Sequence, residues 1–225
     1  MKKRIPLKER ILPSYTKGEE IFNMVSHIVG GAIGIAALTL CVILSALRGS
    51  VAGVLCGAVF GTSMVVLYAM SSIYHGLPTN TAKKVFQILD HCTIYFLIAG
   101  TYTPILICGM AERYPVSAWV TFGVIWGLTA LACTLTAIDI AKYKVFSMIC
   151  YIGLGWAIVP TMPKAIEVLE WGGFSLVLGG GILYTAGAIF FKVGKKKRYF
   201  HSIFHLLTLF GSICHVLAIL FFVLW

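Results

Sequence analysis

Phe200-His201-Ser202-Ile203-Phe204-His205 opens a run that continues, almost without polar interruption, to Trp225, directly after the basic segment Lys195-Lys196-Lys197-Arg198. About 20 helical residues cross the hydrocarbon of a bilayer, so the stretch from 199 to 225 is long enough to span. Two histidines four residues apart share one face of such a helix, at the end where it leaves the basic segment. Imidazoles at that depth need a reason, and the rest of the chain has to supply it.

The composition extends the membrane reading to the whole chain. Of 225 residues, 59% are hydrophobic and 12% charged, and the mean hydropathy is +0.93. Soluble domains carry about a quarter charged residues. Charges here fall in short clusters between long apolar runs that lack the alternation of barrel strands, and helices are the remaining way to satisfy a backbone in lipid. The expected fold is an all-α integral membrane protein, a seven-transmembrane-helix bundle with spans near 22–47, 51–75, 85–109, 117–136, 145–163, 173–191 and 199–225. Residues 1–20 then form a basic cytoplasmic tail, and 21–225 a single membrane domain.

Lysine and arginine orient the bundle. Fifteen of the eighteen fall in the tail and in alternate loops (Lys83-Lys84, Lys142 and Lys144, Lys192 with Lys195 to Arg198), while Arg48, Arg113 and Lys164 face the other side. The positive-inside rule therefore places the N-terminus in the cytoplasm and Trp225 outside. The net charge of +10 is then topological, drawn to anionic inner-leaflet lipid, and calls for no nucleic-acid partner. Seven cysteines, odd in number and without CxxC spacing, read as small packing residues and not as a disulfide framework. No cleavable signal precedes the first span, which would serve as its own insertion signal.

Polar residues inside the spans are few. Span one carries Asn23 and His27 one turn apart, then Gly30, Gly31 and Gly34; span two carries Gly53, Gly57 and Gly61, a small-xxx-small ladder for close helix packing. Span two ends Ser71-Ser72-Ile73-Tyr74-His75 before Gly76 and Pro78, with Ser71 and His75 on one face. Span three begins inside and places Asp90 about 9 Å along from Lys84. A lone carboxylate there is costly, so a partner is expected. Further along, Pro104 should kink the helix beside Thr101 and Thr103. Spans four to six, with Gly123, Gly127, Pro160, Pro163 and Gly179 to Gly181, read as kinks and close-packing points.

Topology then brings His75, Asp90, His201 and His205 to within about two turns of the cytoplasmic boundary. Neutral imidazole ligates Zn²⁺, and three histidines with an open fourth position form a known catalytic arrangement. Asp90 would orient or deprotonate a water there, and Ser71 would hydrogen-bond the water or a substrate carbonyl. His27 competes as a ligand from the same depth; His91 points about 100° away from Asp90 on an ideal helix, and His215 lies about 15 Å beyond His205.

Ser71-x-x-x-His75 closing span two, Asp90 opening span three and His201-x-x-x-His205 opening span seven resemble the hemolysin III family, the bacterial branch of the progestin and adipoQ receptor superfamily. The resemblance includes the Asn23 and His27 region and Ala99-Gly100-Thr101-Tyr102-Thr103-Pro104. It implies zinc held by His75, His201 and His205 near the inner leaflet, Asp90 and Ser71 beside a bound water, and residence in the plasma membrane. Three functions follow as expectations. One is a zinc-dependent hydrolase of a membrane lipid amide or ester; another is a sensor or homeostasis protein with structural zinc. The third is a pore-forming, haemolytic protein. Membrane lipids are the expected partners, and no protein partner is indicated.

Overall fold

A computed structural model describes residues 6–194 and 197–225. Lys2, Lys3, Arg4, Lys195 and Lys196 of the charge count lie outside the described residues. The elements are helical throughout that range: α1 (Lys17–Leu47), α2 (Val51–Gly76), α3 (Thr81–Pro104), α4 (Pro115–Ile138), α5 (Lys144–Gly155), α6 (Met162–Val193) and α7 (Phe200–Ile219), with short 3-10 or π segments between or after them. Among the described residues six stretches are long and apolar enough to cross a membrane: Lys17–Leu47, Val51–Gly76, Thr81–Met110, Pro115–Ile138, Lys144–Val193 and Phe200–Leu224. The expected spans five and six fall together in the 50-residue fifth stretch.

Local chemistry explains where these helices start. Thr16 and Glu19 form a reciprocal capping box, Thr16 Oγ1 accepting from Glu19 N at 3.2 Å while Glu19 Oε2 accepts from Thr16 N at 2.8 Å. This fixes the start of α1 at Lys17, one turn before the apolar run. Its 31 residues extend about 46 Å, well beyond the hydrocarbon thickness. Ser50 and Asn80 cap α2 and α3 through the backbone N–H groups of Gly53 and Lys83. Leu77 and Pro78 end α2 immediately after His75 and Gly76.

Proline shapes the helices in two places. After Pro104 the chain winds as a π-helix, Ile105–Met110, and the Thr101 and Thr103 hydroxyls donate to the carbonyls of Leu97 and Ala99, the second of which adjoins the Gly100 carbonyl that Pro104 leaves without its usual donor. Pro160 and Pro163 lie after the end of α5, not within it: α5 stops at Gly155, a 3-10 turn covers Val159–Thr161, and Pro163 sits in the first turn of α6. A proline's missing N–H costs nothing there. The expected loop before span six is consequently helical from Met162, and the break comes at Glu170, whose φ of 55° and ψ of 172° interrupt α6.

The glycine ladder packs α2 on α1. A Cβ on Gly57 would meet Cys41 at 2.7 Å, and one on Gly61 would meet the Leu38 backbone at 2.4 Å. Backbones this close gain dispersion contact where no hydrophobic drive exists. On the other side of the bundle, Gly180 of α6 abuts His215 of α7. By contrast Gly123, Gly127 and Gly179 have open space around them and are not close-packing points. α4 is peripheral, with Trp119, Val120, Val124 and Leu131 exposed. The core runs through α2, α3, α6 and α7 around Tyr68, Tyr95, Ile105 and Leu169. All seven cysteines are free.

α7 enters the bundle through Tyr199, which adopts a left-handed conformation at φ 61° and donates its backbone N–H to Glu19 Oε1 at 2.6 Å. One carboxylate thus caps α1 and anchors the start of α7, bringing the histidine pair against the first turns of α1.

Candidate metal centre

Two elements deliver three imidazoles to one point. His75 comes from the last turn of α2, and His201 and His205 come from the first two turns of α7. They are 3%, 7% and 1% exposed, and one ring nitrogen from each lies within 4.8 Å of the others. The Nε2 atoms of His201 and His205 are 3.1 Å apart. Ligand nitrogens of a tetrahedral ion with bonds of ~2.0–2.1 Å lie about 3.3 Å apart, so the pair already has near-ligand spacing.

The orphaned polar atoms support the same reading. Buried side-chain atoms without a hydrogen-bond partner include His75 Nε2, both ring nitrogens of His27, both amide atoms of Asn23, Ser202 Oγ and Thr208 Oγ1. Each such group normally has a partner. Here they gather on α1, α2 and α7 around the three imidazoles. The donor set therefore fits a metal ion with its water.

Behind His75 stands a carboxylate. His75 Nδ1 donates to Glu20 Oε2 at 2.6 Å, Glu20 Oε1 accepts from Lys83 Nζ at 2.8 Å, and Lys83 Nζ also donates to Leu77 O at 3.0 Å. A proton fixed on Nδ1 leaves the Nε2 lone pair pointing into the centre, the arrangement in which metal-bound histidines are oriented. The sequence reading passed over Glu20, Lys83 and Tyr15. Glu20 was legible in principle, since it lies on the α1 face that carries Asn23 and His27 at i+3 and i+7.

Tyr15 roofs the centre. Its ring stacks on His201 at 4.8 Å and 20° and lies 5.7 Å from His75. Burial, reinforced by the negative charges of Asp90, Glu20 and Glu19, pushes its phenol well above the ordinary tyrosine range, so it stays a neutral donor.

Ser71 and Asp90 meet His201, His205 and His27 around a small cavity of about 30 Å³, room for about two waters. Ser71 is buried. No ion pair to Asp90 forms among the described residues, and the expected charged partner is not seen. His91, about 100° around the helix from Asp90, lines the same cavity. His27 stacks on His205 at 3.8 Å and 29° but stands outside the converging trio. His215 is a packed histidine, its Nε2 3.1 Å from Val177 O.

A second, larger cavity of about 160 Å³ adjoins the first, sharing Leu67, His91, Ile94, Phe191, Phe204 and Thr208. Ile98, Phe174, Leu178 and Ile152 make its walls apolar.

Six long apolar helical stretches around a buried three-histidine cluster define a multi-pass membrane protein with a candidate metal centre. The Haemolysin-III related family pattern matches residues 15–216, and the chain belongs to that family. It is 38% identical over 206 residues to Hemolysin-3 of Bacillus cereus, covering 92% of each chain. It is 32% identical over 208 residues to a Hemolysin-3 homolog of Bacillus subtilis, covering 92% of this chain and 96% of that one. More distantly, the human monocyte to macrophage differentiation factor is 26% identical over 168 residues, 72% of this chain and 67% of the relative.

Proposed function

We propose that this protein is a plasma-membrane hydrolase that holds Zn²⁺ on His75, His201 and His205 and cleaves an amide or ester of a membrane lipid. The carrying observation is the adjacency of three convergent imidazoles, a water-sized cavity lined by Ser71 and Asp90, and an apolar cavity continuous with it. The chain crosses seven times, Lys144–Val193 passing twice through the interruption between Gly155 and Met162. The fifteen-to-three charge asymmetry supports a cytoplasmic N-terminus and an outside C-terminus.

Zinc in an open three-histidine site supplies Lewis acidity and acidifies water. The chain's own groups do the rest. Asp90 accepts a proton from water in the small cavity and returns it to the leaving group. Ser71 donates a hydrogen bond to the carbonyl oxygen of the bond to be cut. Glu20 keeps the His75 proton on Nδ1. Tyr15 closes the centre to bulk water, and the apolar cavity takes a hydrocarbon chain.

A second reading has its own observation: the centre is buried and ties α1, α2 and α7 together, as a structural site would. Haemolysis, stated by the names of the Bacillus relatives, would require a polar path, whereas the larger cavity is apolar. The deciding experiment follows lipid product release and metal content together in purified protein. Wild type should bind one zinc and release product, and His201→Ala/His205→Ala should do neither. Equal turnover in that double variant would sink the hydrolase. Stoichiometric zinc that stabilises the protein without product from any lipid would favour the structural reading.

A further inference from the structure

The segment before α1 carries a cation that the centre does not use. Leu7–Glu9 form a 3-10 turn packed against α3, and Arg10 at its end is only 7% exposed. Its Nε and Nη1 are sealed from solvent with no hydrogen-bond partner. Lysine or histidine in such a place can shed its proton, but arginine cannot, so its charge must be met by an anion.

Among the described residues no carboxylate forms an ion pair with Arg10. The nearest acids in sequence are otherwise engaged or turned outward: Glu19 accepts from Thr16 and Tyr199, Glu20 from His75 and Lys83, and Glu9 is exposed. Position matters as well. Arg10 lies five residues before Tyr15, at most about 17 Å of chain, and Tyr15 stacks on the histidines. The same strap thus holds an unmatched guanidinium and the roof of the centre. Asp90, Glu19 and Glu20 surround Tyr15 with negative charge, which keeps an anion away from the tyrosine and favours the arginine end.

We propose that Arg10 is the core of an anion site on this strap, which takes the phosphate of an anionic lipid headgroup at the mouth of the bundle. Guanidinium suits phosphate because its planar array of donors matches the oxygens. On the orientation proposed above, the headgroup belongs to the cytoplasmic leaflet. The inference concerns binding and stands whether or not the centre hydrolyses lipid.

Thermal unfolding of the full chain in neutral detergent tests it, since a ligand that binds only the folded state raises the melting temperature. The probes are dihexanoyl phosphatidylglycerol, dihexanoylglycerol without phosphate, and inorganic phosphate. Phosphatidylglycerol should stabilise wild type at a concentration about tenfold lower than it does Arg10→Met, because hydrogen bonds to a charged group are lost. Dihexanoylglycerol should act on both alike. Inorganic phosphate acting as well as the lipid would support the anion site and assign it to the free ion. Arg10→Lys keeps the charge without the planar array; it should fall between the two and replaces Arg10→Met if that variant does not fold. An equal phosphatidylglycerol response in wild type and the folded variants overturns the proposal. Turnover absent while Arg10-dependent binding persists would refute the hydrolase alone.

Discussion

Replacing Glu20 by alanine separates the orientation of His75 from its identity as a ligand. The substitution leaves all three imidazoles in place and removes the 2.6 Å acceptor of His75 Nδ1. Loss of a carboxylate behind a ligating histidine costs about 10- to 100-fold in metal affinity, or roughly 1.4–2.8 kcal/mol. A second effect has to be subtracted. Lys83, 3% exposed, loses its carboxylate and keeps the Leu77 carbonyl and the face of the Tyr74 ring, which should lower metal-free stability by about 1–3 kcal/mol. Lys83→Met isolates that part, because it removes the buried cation and leaves Glu20 on His75. The assay is competition for zinc against a chromophoric chelator, run beside thermal unfolding of the metal-free forms. Expected is a single zinc per chain throughout, with affinity falling in Glu20→Ala by more than in Lys83→Met. Affinity unchanged in Glu20→Ala would refute the reasoning, since the Glu20–His75 bond would then be a surface contact with no bearing on the centre.

Three further outcomes follow from the packing. Gly61→Ala drives a methyl into the Leu38 backbone, 2.4 Å away, and should cost about 1–3 kcal/mol; a thermal midpoint equal to wild type in the same detergent would show that α1 and α2 are not in this contact. Glu170→Gly removes a side chain from a backbone conformation open essentially to glycine alone and should stabilise by about 1 kcal/mol, with Trp171→Gly, at a helical position, as the destabilising control. His27→Ala should retain one metal per chain, because neither of its nitrogens belongs to the converging trio; loss of stoichiometric metal would move His27 into the ligand set.

The sequence revealed what depends on pattern and depth, and concealed what depends on side chains reaching between elements. His75, His201 and His205 were legible together because hydropathy and lysine placement fix which helix ends share a face of the membrane, and a helix end holds its residues to within a turn. Asp90 and Ser71 followed from the same depth argument and meet at one cavity. Glu20 and Tyr15 escaped it because both lie in a segment judged by polarity to be a tail. Yet Thr16-x-x-Glu19 there is a helix-start signature, and honouring it would have extended α1 downward by a turn, setting Glu20, Asn23 and His27 on one face beside the centre. The misplaced break between α5 and α6 has a related cause. Pro160 and Pro163 punctuate a helix equally well as its last stop or its first turn, and hydropathy does not distinguish the two in a stretch apolar throughout. At both places the decisive quantity was the satisfaction of backbone and side-chain donors. The same accounting, applied to the histidine end of the bundle, leaves a set of unpaired nitrogens and oxygens gathered around the three imidazoles. Packing alone gives no reason to bury such groups together, whereas a metal ion with its water would satisfy them in common.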